Sequence, residues 1–319
     1  MTKSFASKVL FDSDLPLRWS DVKPSTATKY TTRVSAFFRW VRNNEVAIGS
    51  YEELDDGVEL YMNYLYLKES GGRRQAAAEL LCGLYRRFPR SRGRLLASVA
   101  ALKSWTKCVP GKAYLPLVWG VALVVAHQIA KHAKSVVDHY AAIAVPVAHH
   151  CLLRVGELLR LRAEDVVFNP IFSVKSAATA SLRIRSAKTG ADQYVRVTDP
   201  VIVLLLRRLI RSTQVRTDRI FRLSYSQLRL RFRQALHRLG LDTSRIVFHS
   251  LRHGGATELA LRGTDLGLIA LRGRWRSLKN AGHYVQTGES LVATVRLPSP
   301  FQEFAHHLVR DWTLWGPSL

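Results

Sequence analysis

Apolar residues recur at helical spacing along almost this whole chain, and in one patch the spacing switches to alternation. Spacing near 3.6 residues builds one face of a helix, and spacing of two builds one face of a strand. Val34, Phe37, Phe38 and Val41 stand at i, i+3, i+4 and i+7, so a helix is expected from Ser25, capped there or at Thr26 and ended at Asn43–Asn44. A second helix runs to Gly71–Gly72, a third stops before Pro89, and a fourth carries Leu95, Val99 and Leu102 on one face. Later helices are expected near residues 117–133 and 135–151, through VGELLRL, over Val201–Arg211 and Tyr225–Leu239, and over 249–262, 264–272 and 277–286. The alternating patch comprises VVFNPIFSV, SLRIRSA and QYVRV, read as three strands. The last two are joined by a hairpin tip in SAKTGADQ, where Gly190 supplies the turn. The expected fold is mainly α with a small three-stranded antiparallel β-sheet.

Punctuation divides the chain. Residues 1–24 read as an N-terminal arm and residues 25–108 as a small all-helical domain. VPGKAYLP, residues 109–116, carries two Pro and one Gly between apolar helices and reads as a linker. Residues 117–290 form a larger lobe holding the sheet, and residues 291–319 form a tail. In that tail Phe301, Phe304, Leu308 and Trp312 fall near helical spacing. A solitary domain would fold such a stretch onto itself; docking on a neighbouring copy is the rival expectation.

Charge says what such a chain meets. The 319 residues hold 48 Lys and Arg against 24 Asp and Glu, a net charge of +24. Residues 1–110 hold 18 against 11, and residues 111–319 hold 30 against 13, so both lobes are basic. A folded protein this basic repels itself, and a polyanion is the natural counterweight. Two basic lobes suit a clamp on double-stranded DNA. The run YRRFPRSRGR contributes Arg86, Arg87, Arg90 and Arg92, as consistent with a solvated loop as with phosphate contact. Three scattered cysteines support neither a disulfide framework nor a zinc site, and no metal or cofactor is expected. The N-terminus lacks a signal-peptide apolar region, and Leu115–Ala126 is too short to span a bilayer. An intracellular, DNA-associated protein without a membrane partner is expected, in a nucleoid or a nucleus.

Cutting a phosphodiester needs a nucleophile in line with phosphorus, fixed cations on the non-bridging oxygens, and a proton donor for the leaving oxygen. Arginine suits the clamp because its planar fork grips two oxygens and stays charged. A tyrosine nucleophile stores the bond energy in a phosphotyrosine, so strands can be rejoined without ATP. The larger lobe holds these residue types in one order. Arg154 and Glu157 lie in CLLRVGELLRL, Lys188 on the hairpin tip, and His249, Arg252 and His253 in FHSLRHGGATE. Trp275 lies in LRGRWRSLKNAGHY, nine residues before Tyr284.

These boxes resemble the tyrosine recombinases, the phage-integrase-like enzymes of site-specific recombination. R-V-G-E-L-L-R-L is similar to the family's first-arginine motif, H-S-L-R-H-G-G-A-T to its His-x-x-Arg-His box, and L-R-G-R-W…Y to its final box. The resemblance covers about residues 117–290, with a weaker one for the helical N-terminal domain. It implies that Tyr284 attacks the scissile phosphate and becomes joined to the 3′ phosphate. Arg154 and Arg252 would hold the non-bridging oxygens, and Lys188 would protonate the 5′ oxygen. His249 would transfer a proton at the nucleophile, His253 would contact DNA, Trp275 would donate its indole N–H, and Glu157 would orient the cations. The family also implies a homo-oligomer, a tetramer on two duplexes. Two departures stand out: the final box usually reads Leu-Gly-His, and Gly254–Gly255 replaces a Thr or an apolar residue.

Plainer readings compete. Arg154 and Glu157 at i, i+3 also make a structural ion pair. Lys175 and Arg185 rival Lys188, the two histidines could be core or cap residues, and Trp275 could be core. His283, beside Tyr284, points elsewhere if both lie on one helix. At the level of function, a type IB topoisomerase-like or telomere-resolving enzyme and a non-catalytic DNA-binding relative are the alternatives.

Overall fold

A proline has the fixed φ of a first helical turn and no N–H to leave unpaired there. In the computed structural model Pro24 accordingly starts α1 (Pro24–Asn43), one residue ahead of the capping Ser25 expected from sequence. The structure describes residues 19–68, 70–110, 114–169, 179–187, 190–241, 243, 245–288 and 296–319. The chain divides into two compact units, Met1–Lys112 and Ala113–Leu319.

In the first unit α1 meets α2 (Tyr51–Lys68), α3 (Arg74–Arg87) and α4 (Leu96–Cys108) around one core. Val34, Phe37 and Val41 of α1 are buried there, as their spacing requires. The start of α4 has no cap of its own. Buried Asp55 of α2 supplies one: its carboxylate accepts the amides of Ala97 and Ser98 at 2.8 and 2.9 Å and the Ser98 hydroxyl at 2.5 Å.

The second unit has the larger core. Its helices are α5 (Trp119–Lys131), α6 (Val136–His150), the single turn α7 (Val155–Leu158), α8 (Pro200–Arg211), α9 (Tyr225–Arg238), α10 (Ser250–Leu261), α11 (Leu266–Gly273), α12 (Leu278–Gly282) and α13 (Ser299–Arg310). Side chains cap several of them: Asp199 for α8, Ser224 for α9, Asp265 for α11 and Ser277 for α12. Between α7 and α8 lies one antiparallel sheet of β1 (Val166–Phe168), β2 (Ala180–Ala187) and β3 (Gly190–Val197) in that order. Leu182 pairs with Val166 on one side and Val195 on the other, and all three are buried. The alternation seen in the sequence thus aims one face of the sheet inward.

Two predicted helices come out shorter. α7 is one turn: Leu152, at a left-handed φ of +49°, and extended Arg154 break the chain after α6, and beyond α7 the chain turns extended at Arg162, which bridges Arg219. α12 ends at Gly282, which leaves Tyr284 in a turn rather than on a helix. The stretch from α13 onward packs on its own unit. Trp312 is buried, meets Trp119 edge-on at 5.3 Å, and donates its indole N–H to Asp199 at 3.1 Å. Among the described residues no helix is long and apolar enough to cross a membrane.

α10 is seated unusually close to its neighbours. A Cβ on Gly254 would lie 1.6 Å from the Leu117 carbonyl oxygen, and one on Gly255 would lie 2.3 Å from that of His149. α10 therefore rests bare backbone against the stretch before α5 and against the end of α6. Leu117 N also donates to the Ser250 carbonyl at 3.0 Å. Gly254→Ala should lower stability by about 3 kcal/mol or more, since backbone cannot yield as a side-chain tip can. A thermal melt as stable as wild type would contradict this close packing.

Candidate active site

Glu157 is the centre of the cluster. It is 4% exposed and takes partners on both oxygens. Oε1 accepts from Arg154 Nη1 at 2.6 Å. Oε2 accepts from Arg274 Nη2 at 2.8 Å and from the Arg154 backbone N–H at 2.9 Å. Arg252 Nη1 lies 4.0 Å from the same oxygen. The local sequence explains the first contact: Arg154 is the residue before the α7 turn and Glu157 is its third residue, so carboxylate and amide close on each other. Burial raises the Glu157 carboxyl, but Arg274 and then the bonds from Arg154 outweigh it and hold it below its usual range.

Arg252 comes from the first full turn of α10 and is fully buried. Its fork donates to two backbone carbonyls, Leu152 through Nη1 and Gly273 through Nη2. Two rings cover it, with Cζ 4.5 Å from the Trp275 centroid and 5.4 Å from that of Tyr284. Burial, then Arg154 and Arg274, pushes this guanidinium down to about 9, which leaves it a cation at neutral pH.

Tyr284 sits within the same group. Its hydroxyl lies 3.3 Å from His249 Nε2. Its ring stacks on His253 at 4.4 Å and leans on Trp275 at 4.5 Å. Thr257, one turn beyond His253 on α10, donates its hydroxyl to the Tyr284 carbonyl at 3.2 Å and accepts the Gln286 amide at 3.0 Å. Burial and the nearby Arg252 hold His249 down at about 4, so it is neutral near pH 7 and one ring nitrogen keeps a free lone pair. Burial and His249 put His253 at about 4 as well. The Trp275 indole N–H is buried without a partner.

Six of the seven expected catalytic positions therefore converge: Arg154, Glu157, His249, Arg252, Trp275 and Tyr284, with His253 beside them. Lys188 and its rival Lys175 lie outside the described residues. Arg185 is committed to Glu164 and Asp165 at 2.8 and 2.5 Å. In the first unit Arg86 pairs with Asp21 at 2.7 Å, while Arg90 and Arg92 are exposed and Arg87 is half-buried. Sequence reading missed Arg274 and Thr257. Thr257 stands two turns after His249 on the same helix face, a signal available in the spacing; Arg274 was visible only as an odd neighbour of Trp275. Among the described residues no three His, Cys, Asp or Glu side chains gather closely enough to hold a metal ion.

Residues 124–290, just over half of the chain, match the model of the phage integrase family. The chain belongs to the phage integrase family. Family membership makes it a DNA-cleaving and rejoining enzyme of the site-specific recombinase class. Comparison with curated protein sequences returned no match. Among solved structures, a lambda integrase dimer bound to a COC′ core site is similar at 17% identity and TM-score 0.58, covering 87% of this chain and 94% of that one. The XerH recombinase in a post-cleavage complex with palindromic difH substrate is similar at 17% identity and TM-score 0.55, over 90% and 79%. The Tn1549 transposon integrase in complex with circular intermediate DNA is similar at 13% and 0.53, over 85% and 98%. These likenesses are of fold: mostly helical with a three-stranded antiparallel sheet.

Buried neutral histidines give this integrase a pH signature. Burial first, with nearby cations, lowers His149 and His150 to about 3, while in an unfolded chain both titrate near 6.5. Below pH 6.5 the unfolded chain takes up protons that the folded one refuses. Stability should thus be full above about pH 6.5, fall steadily towards pH 3 to 4, and do so less steeply in His149→Gln. Melting temperatures between pH 8 and 4 test this; a flat profile would refute it.

Proposed function

We propose that this integrase cuts and rejoins double-stranded DNA through a 3′-phosphotyrosine on Tyr284, without a metal ion in the step. The observation that carries the reading is the convergence around one tyrosine: Tyr284 Oη lies 3.3 Å from neutral His249, and its ring lies over Arg252, which shares Glu157 with Arg154.

The chemistry follows from those groups. His249 Nε2 accepts the phenol proton as Tyr284 Oη attacks phosphorus. Arg154 and Arg252 bind the non-bridging oxygens as charge builds on them. The 5′ oxygen leaves with a proton, assigned through the family resemblance to Lys188. A 5′ hydroxyl from a partner strand then attacks the phosphotyrosine, returns the phenol and seals the new junction. Trp275 lends its unpartnered indole N–H to the phosphate, and Glu157 keeps the guanidiniums in register.

Arg252 is sealed beneath Trp275 and Tyr284 and bonded to backbone carbonyls, whereas the Arg154 side chain is 21% exposed. A phosphate thus meets Arg154 first. The two rings then swing aside, Arg252 exchanges carbonyl partners for phosphate oxygens, and the freed tyrosine comes into line.

The basic first unit, with Arg86, Arg87, Arg90 and Arg92, acts as the core-binding domain along the duplex, together with the arm of residues 1–24. His253 borders the DNA side of the site. The working assembly is a tetramer on two duplexes. The enzyme works on DNA inside the cell.

Duplexes selected from a random-sequence pool, nicked near the bound site, would trap the adduct. The wild type should form a detergent-stable protein–DNA adduct, and Tyr284→Phe should bind but form none. Arg154→Ala and Arg252→Ala should each slow adduct formation by about 10²–10³-fold, the scale of a lost oxyanion donor. An adduct on Tyr284→Phe would overturn the reading, and relaxation of supercoiled DNA without site preference would turn it towards a topoisomerase.

A further inference from the structure

The final box of this chain carries an arginine directly before Trp275, where the family's usual box has glycine. The backbone explains the glycine. Position 274 caps α11 in the left-handed region, at φ +59° and ψ +41°, which disfavours any residue with a Cβ. Arg274 accepts that strain and is only 7% exposed. Leu152, whose carbonyl accepts from its side chain, is also left-handed and buried. Two strained residues in contact beside an active site call for a function.

Arg274 Nη2 donates to Glu157 Oε2 at 2.8 Å and to the Leu152 carbonyl at 3.1 Å. Arg252 Nη1 donates to that same carbonyl and stands 4.0 Å from that same carboxylate oxygen. Arg274 therefore occupies the one oxygen that Arg252 could otherwise claim. With it in place, Glu157 spends Oε1 on the Arg154 side chain and Oε2 on both the Arg154 amide and Arg274, and Arg252 is left on weaker carbonyl partners that a phosphate can displace. Without it, a buried carboxylate at 4.0 Å would draw Arg252 into a closed ion pair, since two charges that near in a dry site attract strongly.

We propose that Arg274 is a positioning residue for strand cleavage: it blocks Glu157 from capturing Arg252 and so keeps the buried half of the phosphate clamp exchangeable. It touches no substrate itself. The proposal rests on the reading of Arg252 as a phosphate ligand, and a set of variants separates the two.

Arg274→Gly gives the cap its preferred residue, so backbone and site chemistry come apart. Its crystal structure should show Arg252 within about 3.2 Å of Glu157 Oε2, a normal charged hydrogen bond. On the selected nicked duplex, affinity should stay within a few-fold of wild type while adduct formation slows about 100-fold, as expected for a clamp displaced by about 1 Å. Adding Glu157→Gln to Arg274→Gly should restore part of the rate, because an uncharged amide releases Arg252. A merely structural role predicts the opposite, a further loss. Arg274→Lys, which keeps the charge but has a single donor head, should cleave at an intermediate rate and covers the case in which the glycine variant does not melt cooperatively.

Arg252 unmoved in the Arg274→Gly crystal, a cleavage rate within threefold of wild type in either folded variant, or a double variant worse than the single one would each overturn the proposal. Tyr284→Phe run beside them isolates the parent reading. An adduct on Tyr284→Phe removes the phosphotyrosine mechanism, whereas its absence together with wild-type cleavage by Arg274→Gly removes only the role of Arg274.

Discussion

A carboxylate cut off from water and surrounded by guanidiniums organises this protein's candidate active site. An isolated Glu157 at that depth would take up a proton rather than stay charged. Arg154 and Arg274 keep it ionised, and it in turn lets three arginines sit together without flying apart. Such a cluster adds little to stability, because desolvating its members costs about what their attraction returns. What it provides is arrangement: each arginine has one direction in which its fork is satisfied. α7, the start of α10 and the end of α11 meet at this one side chain, so the sharp break after α6 and the left-handed residues around it become intelligible.

The site is closed. Aromatic rings lie on the deeper arginine, and the hydroxyl that would attack a phosphate faces a histidine instead. A recombinase has reason to rest in such a state, since an unguarded tyrosine beside two bare cations would nick any duplex it met. The same contacts that shield the site also prepare it. Neutral His249 already stands at the phenol, and Thr257 already holds the tyrosine backbone. What the closed state covers is Arg252, which lies beneath both rings; in the proposed mechanism DNA displaces them before it meets the full clamp.

Much of this was legible in the sequence. Helical spacing located the long helices, as with Ile202, Leu206 and Leu209 of α8, because a stripe three or four residues apart has one place to go. Alternation located the sheet. Arg154, Glu157, His249, Arg252, Trp275 and Tyr284 could be singled out from the order of their boxes, and the fold gathers them around one carboxylate and one tyrosine. Other features depend on contacts between distant segments. Nothing in VGELLRL says that its helix stops after one turn, for that goes with the extended backbone at Arg162 and its bridge to Arg219. Nothing near residue 274 announces that its side chain turns inward to a glutamate 117 residues earlier. The two glycines after His253 depart from the family's pattern in the sequence, and their reason is in the fold: the carbonyls of Leu117 and His149 lie against them.

That bare stretch of α10 has a mechanical meaning. A helix seated through side chains can roll by several degrees as those side chains change rotamer, and its outward groups roll with it. A helix seated carbonyl against α-carbon has no such bearing. The azimuth at which His249, Arg252 and His253 are offered is thereby locked. Mutation can retune the groups around them, but the angle of presentation is no longer open to drift.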